Sequence, residues 1–106
     1  MDGRRLKGIL GLCVRAGKAA FGEEVCRKSL ECGKCGILLL DEAASANTRD
    51  RYDSLCKRTG IEMALLPEGF LSEATGRSNI ALAVMKGSFA EQVGRCLKTG
   101  TEHKQD

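Results

Sequence analysis

Two sets of residues in this chain of 106 could do chemistry. The first is sulfur. Cys32 and Cys35 form a Cys-x-x-Cys pair, the spacing used for two zinc ligands or for a thiol–disulfide couple. A zinc site needs two further ligands, no second such pair exists, and the single histidine, His103, stands near the end of the sequence. A thioredoxin-like pair sits at a helix start, whereas this one falls where a helix should stop. Sulfur placed by chance around a turn is the better reading. Cys13, Cys26, Cys56 and Cys96 fall on the apolar faces of expected helices, where a free thiol behaves as a small hydrophobe. Gly33-Lys-Cys-Gly36 lacks the Walker spacing and precedes a strand, and no nucleophile–base constellation is visible. The expectation is no catalysis, no metal and no cofactor.

The second set suits phosphates and bases. Arg15 and Lys18 precede a short apolar step, and Gly22 then opens an amphipathic helix carrying Glu23, Glu24 and Lys28. A helix N-terminus, with free N–H groups and a positive dipole end, favours phosphate when basic side chains stand beside it. Arg77-Ser78-Asn79-Ile80 offers a cation, two hydrogen-bonding side chains and an apolar platform, a combination that suits an unstacked base. Each feature has a plainer alternative. Exposed lysines can simply be solvated, Arg15 can cap its own helix, first-turn acids stabilise a helix without any ligand, and a polar loop needs no function.

Composition narrows the field. The formal net charge of +3 permits nucleic-acid binding without requiring it, so distribution matters more: Arg4, Arg5, Lys7, Arg15 and Lys18 crowd the first segment against Asp2 alone. With 42% hydrophobic and 29% charged residues the chain should be globular, and its length suits one domain over residues 1–99 with a disordered polar tail at 100–106. No apolar run, Ile37–Leu40 included, approaches the length needed to span a membrane. The basic-then-apolar start could pass for a signal peptide, but Arg15 and Lys18 interrupt it and no convincing cleavage region follows. A cytoplasmic protein is expected.

Periodicity supplies the elements that must position these residues. Leu6, Ile9, Leu10, Cys13 and Val14 repeat at helical spacing over residues 4–16, and Gly17 stops that helix. After an extended step at Lys18–Phe21, the helix opened by Gly22 should bury Val25, Cys26, Ser29 and Leu30 and stop at Gly33 or Gly36. The aliphatic run Ile37–Leu40 reads as a strand covered on both faces. A helix over 46–59 follows, capped by Ser45 or Asn47, with Tyr52, Leu55 and Cys56 inward and Gly60 at its end. Next come a strand at Ile61–Leu66, a short helix with Pro67 in its first turn, the polar loop Gly76–Asn79, a strand at Ile80–Met85 and a helix at Ser88–Lys98 with Phe89, Val93, Cys96 and Leu97 inward. This alternation predicts a three-layer α/β/α sandwich around a small mixed, mostly parallel sheet of about four strands.

The segments Leu10–Lys18, Gly22-Glu-Glu-Val25, Gly33-Lys34, Ile37–Leu40, Ala44-Ser-Ala-Asn-Thr48 and Arg77-Ser-Asn-Ile-Ala81 occur in an order and spacing that resemble the kink-turn-binding ribosomal protein family. That family is named after the large-subunit proteins L-seven-Ae and L-thirty-e, and the likeness is to its small bacterial YlxQ-type members. It covers roughly residues 6–97. The resemblance implies an αβα sandwich that binds structured RNA, with the second helix directed at tandem sheared G·A pairs and the loop before the last strand covering an extruded nucleotide. Carried over, Gly22 is the helix-opening glycine, Lys28 the helix lysine, Glu23, Glu24 and Val25 the residues meeting the G·A pairs, and Arg77, Ser78, Asn79 and Ile80 the loop. The chain departs from the ribosomal type in carrying Glu24 and Val25 where Asn and Glu are usual. Val25 has no polar side-chain atom, and ionised Glu24 can accept from base amino or imino groups but repels phosphate. The acid usual after the central strand is replaced by Ala43, preceded by Asp41 and Glu42.

The expected partner is therefore structured RNA, a kink-turn or a related element, with ribosomal RNA a candidate and ribosomal or other proteins as further partners. No membrane partner is expected, and the chain should be monomeric. The alternative is a protein-interaction module on the same fold that has lost kink-turn recognition through Glu24 and Val25.

Overall fold

The computed structural model describes residues 2–104, with side chains described through Lys98. The elements run α1 (Gly3–Arg15), β1 (Ala19–Phe21), α2 (Glu23–Glu31), β2 (Cys35–Asp41), α3 (Ala46–Thr59), β3 (Glu62–Leu66), α4 (Phe70–Thr75), β4 (Ala81–Met85) and α5 (Ser88–Lys104). Helices and strands fall where periodicity places them. Ser45 caps α3, its hydroxyl accepting from the Thr48 N–H at 3.2 Å, and Gly60 ends that helix in the left-handed conformation.

Four strands form one sheet in the order β1-β4-β2-β3. The sheet is mixed, as expected, but parallel pairing is confined to β2 and β3, while β4 runs antiparallel to both β1 and β2. The expectation of a mostly parallel sheet is corrected on this point. Inserting β4 between β1 and β2 satisfies two inner edges with one strand, and the short α4 ahead of it lets the chain reverse direction.

The sheet is covered on both faces. Leu6, Ile9, Leu10 and Cys13 of α1, Phe70 and Leu71 of α4, and Val93 and Cys96 of α5 pack with Ile37, Leu39, Leu82 and Val84. On the other face, Cys26 and Leu30 of α2 and Tyr52, Leu55 and Cys56 of α3 meet Cys35, Leu38, Leu40, Ala81 and Ala83. The unbroken run Ile37–Leu40 thus feeds two cores alternately. Cys35 and Ile37 stand two apart yet belong to opposite cores, because the strand register shifts between them.

Three local expectations are corrected. Val25 is 50% exposed, because α2 presents only Cys26, Ser29 and Leu30 to the sheet and α3. Pro67 lies in a turn ahead of α4 and not within it: Gly69, at φ +82°, separates the two, and the Phe70 N–H donates to the Pro67 carbonyl at 3.0 Å. Finally, α5 runs to Lys104, beyond the helix end expected at Lys98, and residues 105–106 lie outside the described residues. No helix among the described residues is long and apolar enough to cross a membrane.

Candidate nucleic-acid interface

The site is assembled by the pairing of β1 with β4. Phe21, the last residue of β1, lies opposite Leu82, so the turn into α2 stands beside the loop that feeds β4. Gly22 makes that turn at φ +89° and ψ 149°, a backbone region essentially confined to glycine. No side chain caps the helix it opens, so the first-turn N–H groups of α2 are not consumed by a capping residue. Between these elements lies a groove of about 380 Å³, walled by Phe21, Gly22 and Glu23 on one side and by Arg77–Ala81 on the other.

The loop wall is built from its own hydrogen bonds. The Asn79 side-chain amide donates to the Arg77 carbonyl at 2.8 Å and to the Thr75 hydroxyl at 3.1 Å, while the Asn79 N–H donates to the Ser72 hydroxyl at 3.3 Å. The Arg77 guanidinium lies over the Phe21 ring, 4.6 Å from its centroid, and closes the groove across its two walls. Ile80 is 41% exposed at the rim. The α2 wall is braced from behind: the Tyr52 hydroxyl donates to the Glu23 carbonyl at 3.1 Å, which fixes the first turn of α2 against α3. A smaller cavity of about 210 Å³ between these two helices is lined by Glu23, Glu24, Arg27, Arg51, Tyr52 and Leu55, with Glu24 paired to Arg27 at 3.6 Å.

The structure thus brings together Gly22, Glu23, Arg77, Ser78, Asn79 and Ile80 around the groove. Glu24 and Val25 are exposed on the same turn of α2. It does not bring Arg15 and Lys18 to them. Lys18 lies at the opposite end of β1, its carbonyl accepting from Met85 N–H at 2.9 Å, and Arg15 is in the last turn of α1 just before it. Lys28 is exposed in the last turn of α2, about 7 Å along the helix axis from Glu23. Sequence order suggested one cluster, whereas the antiparallel strand separates its cationic part from its helix end.

Phe21, Arg27, Arg51 and Tyr52 were not anticipated at the site. Arg27 had a signal in its i+3 spacing from Glu24. Tyr52 read only as core, and its hydroxyl partner on another helix is invisible to periodicity.

The thiols divide by burial. Cys32 is exposed at the end of α2, while Cys35 is buried in β2, and neither is in a disulfide. Burial pushes the Cys35 thiol up to about 12, and pushes Cys13, Cys26 and Cys56 up to about 11. A thiol reagent at pH 8 should modify Cys32 rapidly and the other five slowly, until denaturant exposes them. Mass spectrometry of labelled protein reads this directly, and rapid labelling of Cys35 would show its environment to be open. Because the folded thiols hold their protons more tightly than the unfolded ones, they contribute stability fully below about pH 9 that is lost as pH rises through about 11.

The chain matches no protein-family model and no curated protein. Its fold is shared with solved structures. A protein of unknown function from Bacillus halodurans superimposes with a TM-score of 0.84 at 21% identity, covering 89% of this chain and 97% of that one. The 15.5kD RNA binding protein of Giardia lamblia superimposes with a TM-score of 0.73 at 16% identity, covering 89% of this chain and 86% of that one. The molecule is therefore an α/β sandwich, a fold it shares with these two structures.

Proposed function

We propose that the protein is a non-catalytic, cytoplasmic RNA-binding protein that recognises structured RNA containing non-canonical pairs, a kink-turn or a close relative. The observation that carries this reading is the groove joining the uncapped N-terminus of α2 to the Arg77–Ala81 loop, two segments far apart in sequence. The α2 wall offers backbone N–H donors and the Glu23 carboxylate, with Glu24 exposed on the same turn, and these carboxylates accept from base amino and imino groups. The loop wall offers Arg77 and the exposed Ile80 face for a base turned out of the stack. The fold likeness to an RNA-binding protein supports the same reading. A ribosomal RNA element is a natural substrate of this kind.

The test is binding to a kink-turn RNA across a salt series, against a control in which Watson–Crick pairs replace the sheared G·A pairs. Tighter binding of the kink-turn at every salt concentration is the expected result. Equal, weak binding of both would reduce the interaction to charge attraction and leave the groove without a role in RNA recognition. The exposed Glu23 and Glu24 favour one second reading, a protein-interaction module. Retention of a partner after ribonuclease treatment would support it.

A further inference from the structure

The end of the sheet opposite the groove is strongly cationic. Lys18 precedes β1, Lys34 precedes β2 and Lys86 follows β4, and all three are exposed. Backbone hydrogen bonds hold them in a row. The Met85 N–H donates to the Lys18 carbonyl at 2.9 Å, and the Lys86 N–H donates to the Lys34 carbonyl at 2.9 Å. Since β1, β4 and β2 are neighbours in that order, the three lysines lie within about 10 Å across adjacent strands. Among the described residues none of the three forms an ion pair; the pairs present are Lys7–Glu73, Arg27–Glu24 and Lys57–Asp53.

Helix dipoles do not account for this row. The C-termini of α1, α2 and α3 end on this side and attract cations, but each already has its own in the last turn: Arg15 in α1, Lys28 in α2, Lys57 and Arg58 in α3. The rim lysines are additional, and α5 starts at this end with its positive pole. The acids nearby are Glu31, Glu62 and Glu91, on α2, β3 and α5. The groove end is mixed in charge, with exposed Glu23, Glu24, Glu42 and Glu68 beside exposed Arg27, Arg51 and Arg77. The rim's three lysines, exposed and without an acidic partner among the described residues, would attract a phosphate backbone independently of the groove.

We propose that the Lys18–Lys86–Lys34 rim is a second RNA contact surface, gripping backbone phosphates of a segment other than the one seated in the groove. The inference rests on the RNA-binding reading above. The two surfaces are separated by the lengths of β1 and β4, about 13–17 Å between Lys18 and Gly22 and between Lys86 and Ala81, so the molecule would bridge two parts of a folded RNA. Contact at the rim is through charge alone and carries no sequence or pair preference.

The test compares wild type with a Lys18→Gln, Lys34→Gln, Lys86→Gln variant, using the kink-turn RNA and its Watson–Crick control. The side chains are exposed and their structural bonds are backbone bonds, so the variant should melt as wild type does. Its plot of log affinity against log salt should be shallower by about two units, with equal losses for both RNAs and an unchanged preference between them. An equal-charge control, Arg4→Gln, Arg5→Gln, Lys98→Gln, should change the slope by less than one. An unchanged slope in the rim variant while wild type binds would overturn the second surface and leave the groove reading intact. A loss of preference for the kink-turn would place the lysines at the groove and also overturn it. Failure of wild type to bind either RNA would overturn the RNA reading itself, and this inference with it.

Discussion

Replacing Asp41 with alanine is expected to lower the free energy of unfolding by about 2–4 kcal/mol and to loosen the groove. Asp41 ends β2 and is buried, 4% exposed. One carboxylate oxygen accepts from the Ala43 N–H at 2.7 Å and the other from the Gly69 N–H at 3.0 Å. It therefore ties the turn after β2 to the turn before α4, and no backbone group can substitute for it. The Asp41 N–H also donates to the Ile80 carbonyl at 2.8 Å, so the same residue anchors the end of the groove loop. Alanine leaves two backbone donors without their acceptor, while asparagine keeps an oxygen for one of them. Urea unfolding should rank wild type above Asp41→Asn and that above Asp41→Ala. If Asp41→Ala were within about 0.5 kcal/mol of wild type, the two turns would have to be held by other contacts. The sequence placed the acid expected after the central strand at Ala43. The buried carboxylate with partners is Asp41, and exposed Glu42 has no such role.

Gly36→Ala should cost about 1–3 kcal/mol for a different reason. A methyl group added at Gly36 would stand 2.6 Å from the Ala90 Cβ and 3.0 Å from the Lys86 Cα. One of these neighbours is backbone and the other a side chain with no freedom to turn away, so α5 must move off the sheet. Gly36 sits where the register of β2 shifts, and its missing side chain is what lets α5 approach there. A double-mutant cycle with Ala90→Gly separates the clash from other losses. The glycine on α5 should itself cost about 1 kcal/mol through helix propensity, yet the pair should be less destabilised than the sum of its parts. Additivity would show that the close approach of Gly36 to Ala90 is not the cause. The same substitution should disturb the rim, since the methyl group would press on the backbone of Lys86 itself.

Much of the fold was legible without coordinates because its signals are local. Gly17, Gly33 and Gly60, all at positive φ, end helices or lead out of them, Ser45 caps α3, and the aliphatic run at Ile37–Leu40 could only be a strand covered on both faces. The two segments that line the groove, Gly22 with Glu23 and Arg77–Ile80, were singled out from their residue types and, for the loop, mainly from the family resemblance. Val25 was misplaced because helical periodicity marks a stripe but does not say how far the neighbouring helix extends over it. Cys13, Cys26, Cys56 and Cys96 were read correctly as core, since small apolar thiols on helical faces obey the same periodicity as alanine or valine.

What the residues by themselves determined is the identity and order of the elements, the two apolar faces of the central strand, and the local chemistry of each candidate segment. Turn residues, caps and periodicity act over a few positions, so a few positions suffice to read them. Only the tertiary structure decided the direction and place of β4, through hydrogen bonds between residues far apart in sequence. That one choice set Phe21 opposite Leu82 and formed the groove. It also carried Lys18 to the other end of the sheet, beside Lys86 and Lys34. Residues three or four apart across a strand stand at opposite ends of it, and which of them shares a surface with a distant loop depends on strand pairing, which local sequence does not encode.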